Sequence, residues 1–327
     1  MRLIFLLTLL TVKLMAQPFP TGSVRLMQLQ GGGALPEKIL NGRTVVLYSP
    51  AIRQQEIPEI HDGLVQAGID IVAYFETDRV LAGYDAELAF AKYFAIREVV
   101  NLVIVDKAAS FYTVSILPVP PKKDQVDLSQ PAWQVSDASL KEALRQVYST
   151  ALNTYKRQNM LIIDVPETEL QVNIIEGRRT EAYASDLRVD RLAVQKTGDE
   201  ETDRQLEEIM KTYPYKYALV DPSIPELDLR KQGYFYILRF VHARGPIAKQ
   251  LLGYEMTIGA TAIASVTFDD GAEKVKTIPA DRPVYKFYFR QIEFNNVYLG
   301  TRWDADTTWQ QSMQNFIAGF RKEMRVN

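Results

Sequence analysis

The side chains that carry most enzyme chemistry are scarce or absent in this chain. Cysteine is absent, so neither a thiol nucleophile nor a disulfide is available. The two histidines, His61 and His242, lie far apart, and no His-Glu-x-x-His pair occurs. Zinc sites draw on closely spaced cysteine and histidine. The sequence therefore predicts no metal site, and because no dinucleotide or phosphate-loop fingerprint is present, it predicts no cofactor.

Carboxylates are the catalytic groups that remain. The chain has 40 aspartates and glutamates but no Gly-x-Ser-x-Gly motif for a serine nucleophile. Glycoside hydrolysis needs only two carboxyl groups at a suitable separation. No spacing in the sequence selects such a pair, so no catalytic residue is assigned. A carboxylate-based hydrolase acting on polysaccharide or cell wall stays open as the alternative to a non-enzymatic role, which we favour.

One polar face of a predicted strand, from Val284 to Ile292, is the candidate binding site. Apolar and polar residues alternate along this strand, so successive side chains point to opposite faces. Its polar face carries tyrosine and arginine, which are enriched at binding hot spots because they combine large contact area with directional donors. The alternative is a solvated face that binds nothing. The candidate binding residues, including two that follow the strand, are Lys286, Tyr288, Arg290, Arg302 and Trp303.

The elements that must position these residues form an α/β pattern. β-Branched runs such as Thr44–Tyr48 alternate with helical periodicity such as Asp85–Glu98. The order strand-helix-strand-helix-strand-strand-helix occurs twice, over residues 44–158 and 159–327. We interpret this as a tandem duplication of one small α/β unit with a mixed sheet. In element order alone, such units resemble the small α/β modules of envelope accessory and outer-membrane assembly proteins, and no motif supports a family assignment.

The two closing helices carry the same apolar spacing, which supports the duplication. The alternative is that all amphipathic helices share this periodicity. The matching positions, counted from Asp137 and from Asp306, are Leu140, Leu144, Val147, Tyr148 and Ala151 in the first helix and Trp309, Met313, Phe316, Ile317 and Phe320 in the second.

Two segments fall outside the repeated pattern. Residues 17–43 contain a glycine triplet and three prolines, which predicts a flexible leader. The second unit is longer than the first by an antiparallel β insert at about 251–293. This insert contains the candidate binding strand, and an addition to a duplicated scaffold is a natural place for an acquired function.

The N-terminus predicts export. Arg2 is followed by an apolar run from Leu3 to Val12, which is the charge-then-hydrophobe layout of a secretory signal. This run is too short to span a bilayer, which takes about 20 apolar residues. We predict a signal peptide over residues 1–16. Without cysteine, no lipid anchor on that residue is expected, and the compartment is periplasmic or extracellular.

Charge and composition limit the classes of partner that the chain is expected to bind. Removal of Arg2 and Lys13 takes the formal net charge from −2 to −4, and no basic block is present, which argues against nucleic acid binding. Beyond the run Leu3–Val12 the sequence contains no second long apolar stretch, so no membrane span is expected in the mature chain. The sequence thus favours an exported, non-enzymatic binding or assembly accessory protein of the cell envelope. Its expected partner is an envelope protein or a glycan, and its oligomeric state stays open.

Overall fold

The computed structural model describes residues 22–120, 125–160, 162–163, 165–168, 170–256, 259–269 and 272–326. The predicted signal peptide, residues 1–16, lies outside the described residues, as does the 17–21 part of the predicted leader. The chain forms helices around two mixed sheets, which confirms the predicted α/β fold class.

Five strands build the first sheet: β1 (Arg43–Tyr48), β2 (Asp70–Glu76), β3 (Val99–Ala108), β4 (Phe111–Pro118) and β5 (Trp133–Asp137). Their spatial order is β2-β1-β3-β4-β5. The strands β2, β1 and β3 are parallel, and β4 and β5 extend the sheet in antiparallel fashion. Strand β1 is the β-branched run of the sequence, and it lies buried between two parallel neighbours, where such runs are typical.

The second half of the chain contributes a second sheet and a separate hairpin. Its strands are β6 (Arg179–Thr180), β7 (Arg191–Gln195), β8 (Tyr217–Val220), β9 (Tyr234–Arg244), β10 (Ala262–Asp269), β11 (Ala272–Pro279), β12 (Pro283–Gln291) and β13 (Val297–Tyr298). The sheet has the order β6-β13-β12-β9-β7-β8, and β10 pairs with β11 alone. The strands β8, β7 and β9 are parallel, whereas β12 and β13 are antiparallel additions.

The two sheets repeat one topology. The series β8-β7-β9-β12-β13 matches β2-β1-β3-β4-β5 in chain order and in strand direction. Such agreement is what a tandem duplication would leave, and nothing in the fold conflicts with it. The superposition of the two units stays a prediction.

Helices separate and cover the sheets. They are α1 (Gly22–Met27), α2 (Ile57–Gln66), α3 (Thr77–Val80), α4 (Tyr84–Ile96), α5 (Leu140–Thr154), α6 (Glu200–Met210), α7 (Glu226–Lys231), α8 (Gly245–Leu251) and α9 (Trp309–Glu323). One face of the first sheet packs on α2 and α5, and one face of the second packs on α6 and α9. Among the described residues, no helix is both long and non-polar enough to cross a membrane.

Helix α4 lies between the two sheets and joins the units. Its Phe90 and Phe94 pack on the first sheet. Its small residues Ala86 and Ala89 pack on β9 and β12 of the second sheet. Alanine allows the helix backbone to approach the second sheet closely, so the units share a continuous packed interface.

The closing helices α5 and α9 agree in length and in capping, although Tyr148 of the predicted apolar stripe is exposed whereas its predicted equivalent Ile317 is buried. Each has 15 residues, and the predicted equivalents Leu140 and Trp309 are their first residues. Each helix is capped by the hydroxyl of the preceding residue, Ser139 or Thr308, which accepts a hydrogen bond from the backbone N–H three residues later. Phe316 and Phe320 are fully buried, as the apolar spacing predicts.

The prediction of a flexible leader is wrong for residues 22–43. Leu35, Ile39 and Leu40 are almost completely buried in the core beneath α2 and α5. The backbone N–H of Gly33 donates to Ala132 O at 3.0 Å. A Cβ on Gly33 would lie 2.1 Å from Pro131 O, so glycine serves a close backbone approach here.

The predicted insert at 251–293 is also too long. Strand β12 pairs with β9 along its full length, from Pro283 to Gln291, and is a central strand of the second sheet. The extra structure between β9 and β12 is helix α8 and the β10–β11 hairpin. Alternation of apolar and polar residues identifies a strand but not its neighbours, which is why the sequence assigned β12 to the insert.

Candidate functional site

The predicted binding face of β12 does not meet solvent. The side chains of Lys286, Tyr288 and Arg290 have exposed fractions of only 0%, 1% and 6%. At Tyr288 and Arg290 this face turns toward α4 of the first unit, and at Lys286 it turns toward the segment before α9. The expectation of an exposed hot-spot surface on β12 is therefore wrong, because the polar face meets charges of the same chain instead of water.

Tyr288 and Arg290 bind the first unit through Asp85 of α4. The Tyr288 hydroxyl donates to Asp85 Oδ2 at 2.6 Å, and Arg290 Nε lies 3.3 Å from Asp85 Oδ1. Burial, reinforced by the Asp85 carboxylate, raises the pKa of Tyr288 well above its usual value, so the hydroxyl stays a donor. Arg239 and Arg290 both pair with Glu226 of α7. This buried cluster of charges holds α4 of the first unit against β12 of the second unit.

Lys286 belongs to a different buried pair. Its ammonium lies 2.8 Å from Asp304 Oδ1 and donates to Leu299 O at 2.8 Å. Burial raises the pKa of Asp304, although the adjacent Lys286 acts in the opposite direction. Lys286 is thus committed to holding the segment before α9 against β12.

Arg302 and Trp303 lie apart from this cluster. Arg302 is exposed, and its Nε is 3.6 Å from Glu273 Oε1 on the hairpin strand β11. The Trp303 ring packs edge-on against Tyr254 at 5.0 Å between centroids. The five candidate residues therefore do not form one surface, and their binding to a partner stays a prediction.

A crevice opens instead at the carboxyl ends of the parallel strands in the first sheet. Open α/β sheets bind ligands where neighbouring strands lead away in opposite directions, which is between β1 and β3 in the order β2-β1-β3. We call this site crevice A, and its volume is about 480 Å³. Its wall is mainly non-polar and comes from both units. It includes Met27, Ser49, Ala51, Asp78, Asp106, His242, Arg244 and Asp281.

Arg244, in the wall of crevice A, is paired with two carboxylates. Arg244 Nε donates to Asp78 Oδ2 at 2.7 Å, and Arg244 also pairs with Glu76. Burial raises the pKa of Asp78 to about 6, although Arg244 and Arg79 act in the opposite direction. Burial lowers the pKa of His242 to about 4, so its ring is neutral at pH 7. Crevice A thus offers a mainly non-polar wall that also carries a neutral imidazole and the acidic residues Asp106 and Asp281.

The second sheet has a crevice at the equivalent place. In the order β8-β7-β9 the divergence point lies between β7 and β9. Crevice B, of about 340 Å³, surrounds the end of β7 and is closed on one side by α4 of the first unit. Its wall includes Arg25, Tyr84, Glu87, Val194, Lys196, Leu238 and Arg239.

Positive charge predominates in crevice B. Arg25 pairs with Glu87, and the Arg239 guanidinium lies 4.0 Å from the centre of the Tyr84 ring while pairing with Glu226. Burial raises the pKa of Glu87, although Arg25 opposes this effect. Lys196 is exposed, and hydrogen bonds from Ser223, together with the charge of Lys196, lower the pKa of Asp221 on the loop after β8.

Neither crevice was found from the sequence, although a signal for crevice A was present. The predicted strands at 44–48, 69–75 and 101–106 are followed within two residues by Ser49, Thr77 and Lys107, which all line crevice A. The rule on carboxyl ends of parallel strands would have selected them, had the strand order been known. Within the described part of the chain, no group of three or more acidic or histidine side chains is placed to hold a metal ion.

Comparison with known proteins gives no assignment. No protein-family model matches the chain, and no curated protein matches it.

Proposed function

We propose that this protein is an exported, non-enzymatic binding or assembly accessory protein of the cell envelope, and that crevice A receives its partner. The observation that carries the proposal is a crevice of about 480 Å³ at the divergence point of the first sheet, with a mainly non-polar wall built by both units. Ligand pockets are typically non-polar and of this size, with a few polar groups that fix orientation.

Two features of the crevice favour holding a partner over chemistry. Asp78 is engaged by Arg244, and Lys107 is engaged by Glu56 at 2.9 Å, so these charges are already compensated. Met27 is 77% exposed at the wall of the crevice. It extends the mainly non-polar wall of the crevice, and such walls are typical of sites that bind a ligand. A segment of an envelope protein or a glycan is the expected occupant.

Photocrosslinking in living cells tests the site. A photoreactive phenylalanine at Met27 should give a discrete crosslinked product in the envelope fraction. The matched control is Val275, which is 69% exposed on the hairpin and lies outside both crevices. Products that are the same from both positions, or absent from Met27, would refute crevice A as the partner site.

Export is tested by the N-terminus of the purified protein. N-terminal sequencing should begin at Gln17, because the signal peptide predicted from Arg2 and the run Leu3–Val12 ends at Ala16. Recovery of Met1 from protein that is found outside the cytoplasm would contradict processing at this place.

A carboxylate-based hydrolase of polysaccharide or cell wall is the second candidate, and the raised pKa of Asp78 favours it. A carboxyl group with a pKa of about 6 suits a general acid, and Asp106 and Asp281 line the same crevice. Release of reducing sugar from purified cell wall by the wild type, lost in Asp78→Asn but kept in Asp269→Asn, would establish this function. We expect no release from any of the three proteins.

A further inference from the structure

Acidic residues outnumber basic residues in the wall of crevice A. Arg244 pairs with Glu76 and Asp78. It also interacts electrostatically with Asp281 on the turn before β12, so three carboxylates share one guanidinium. The second basic residue of the wall, Lys107, pairs with a glutamate of the first unit at 2.9 Å. Neither basic residue is therefore left without a carboxylate.

Asp106 is the acidic residue of the wall that remains. It lies near the carboxyl end of β3, is half-buried and lines crevice A. In the part of the chain that the structure describes, its carboxylate is paired with no cation and accepts no hydrogen bond. The negative charge of Asp106 is therefore available to an occupant of the crevice.

The pleat of β3 points the Asp106 side chain toward the second unit. Successive side chains of a strand point to opposite faces of the sheet. Leu102 and Ile104 share a face with Asp106, and they pack in the cluster that includes the phenyl rings of α4. Lys107 points the other way and pairs with the residue just before α2. Asp106 thus lies on the face turned toward β9, whose end forms the opposite wall of the crevice.

The rest of the wall favours a protein segment over a glycan. Non-polar surface comes from Leu26 and Met27 of α1, from Pro50 and Ala51 after β1, and from Ala243 of β9. A sugar brings several hydroxyl groups, and a hydroxyl that loses its hydrogen bonds to water against a non-polar wall costs free energy. An aliphatic side chain has no such loss, and its burial is favourable.

We infer that crevice A receives a protein segment in which a lysine or arginine stands beside a large non-polar residue. The basic side chain pairs with Asp106, and the non-polar side chain packs on the wall formed by α1 and β9. The inference rests on the proposed function, because it names the chemistry of the partner at the same site. Electrostatic complementarity of this kind selects among segments of similar shape.

Two peptides of matched shape test the charge. The probes are the N-acetyl amides of Gly-Leu-Lys-Leu-Gly and of the same sequence with norleucine, which lacks only the ammonium of lysine. In isothermal titration of the purified exported protein, we expect the lysine peptide to bind about tenfold more tightly, because a hydrogen bond to a charged group is stronger than a neutral contact. Higher salt concentration should reduce this ratio, since salt screens the ion pair. The neutral sugar chitotriose should bind more weakly than either peptide.

A substitution at Asp106 separates charge from shape. Asp106→Asn keeps the size of the side chain and breaks no described hydrogen bond, so the ratio between the two peptides should fall to about one. The matched control, Asp269→Asn, removes an exposed carboxylate on the hairpin and should keep the ratio at about tenfold. Chemical denaturation checks that both variants are folded, and the comparison of peptides on the wild type does not depend on either variant.

The outcomes distinguish this inference from the proposed function. The inference is overturned if the two peptides bind the wild type equally or not at all, if chitotriose binds more tightly than the lysine peptide, or if Asp106→Asn keeps the ratio. In cells, a crosslinked product from Met27 that forms equally in the Asp106→Asn background would leave crevice A as the partner site and overturn the inference alone. Absence of any product from Met27 would refute the site and the inference together.

Discussion

Crevices A and B occupy the same place in two sheets of one topology, yet they present different chemistry. Crevice A is mainly non-polar with a neutral His242, and its arginine is bound to carboxylates. Crevice B carries three basic residues and one acidic residue. Strand topology therefore determines where a crevice forms, and the side chains at the strand ends determine what each crevice accepts.

Strand β9 belongs to both crevices. Its middle residues Leu238 and Arg239 line crevice B, and its last residues His242 and Arg244 line crevice A. The backbone N–H of His242 donates to Ala82 O at 2.7 Å, and this hydrogen bond holds the turn before α4 against β9. The two sites are thus neighbours along a single strand, and their separate shapes depend on the interface between the units.

The largest effect is expected from breaking this interface at Arg290. Arg290→Ala leaves Asp85 and Glu226 without one of their cationic partners, and removing one member of a buried pair typically costs about 3 to 5 kcal/mol. Chemical denaturation should show this loss, with partner binding at crevice A weakened because the crevice is built across the interface.

Arg302 supplies the matched control. It was a candidate binding residue like Arg290, but it is exposed and its contact with Glu273 is long. Arg302→Ala should change the free energy of unfolding by no more than about 0.5 kcal/mol. Equal losses in the two variants would show that the buried cluster does not hold the units together.

A smaller effect on the free energy of unfolding is expected from the protonation of His242, which lines crevice A. Its pKa is lowered by burial to about 4, against a usual 6.5. As pH falls below 6.5 the unfolded chain takes up a proton that the folded protein takes up only near pH 4. Stability is therefore lost as pH falls through this window, by about 2 to 3 kcal/mol at pH 4.5.

Removal of the imidazole tests the assignment. The free energy of unfolding of His242→Gln should fall less than that of the wild type between pH 7 and pH 4.5, by roughly that 2 to 3 kcal/mol. Equilibrium denaturation at the two pH values measures both differences, and titrations common to the two proteins cancel. If the free energies of unfolding of the two proteins change with pH in the same way, His242 is not held neutral. Crevice A would then gain a positive charge at mildly acidic pH and resemble crevice B.

Strand β12 shows why the local sequence pattern did not reveal whether its polar face is exposed for binding. The alternation of Tyr285, Phe287 and Phe289 with Lys286, Tyr288 and Arg290 correctly indicated a strand with one polar face. What this polar face meets depends on Asp85, which lies 203 residues before Tyr288 in the chain. A polar face that meets water and one that meets complementary charges have the same periodicity.

The predicted leader also shows that local pattern does not determine burial, because here residues predicted to be loose are packed in the core. Glycine and proline at 31–36 are typical of flexible segments, and they led to a prediction of a loose chain. Leu35, Ile39 and Leu40 nevertheless fill the core beside α2 and α5. Burial of large side chains contributes about 1.5 to 3 kcal/mol each, which outweighs the conformational preference of a few glycines.

The sequence by itself determined the α/β class, most strands and helices, and the matching apolar stripes of α5 and α9, because these depend on periodicities within one element. Only the tertiary structure decided the strand order, the burial of Lys286, Tyr288 and Arg290, and the positions of crevices A and B. The physical reason is that each of these depends on contacts between residues far apart in the chain. Such contacts are fixed by which faces pack together, and the alternation of residue types within a segment does not specify its partner.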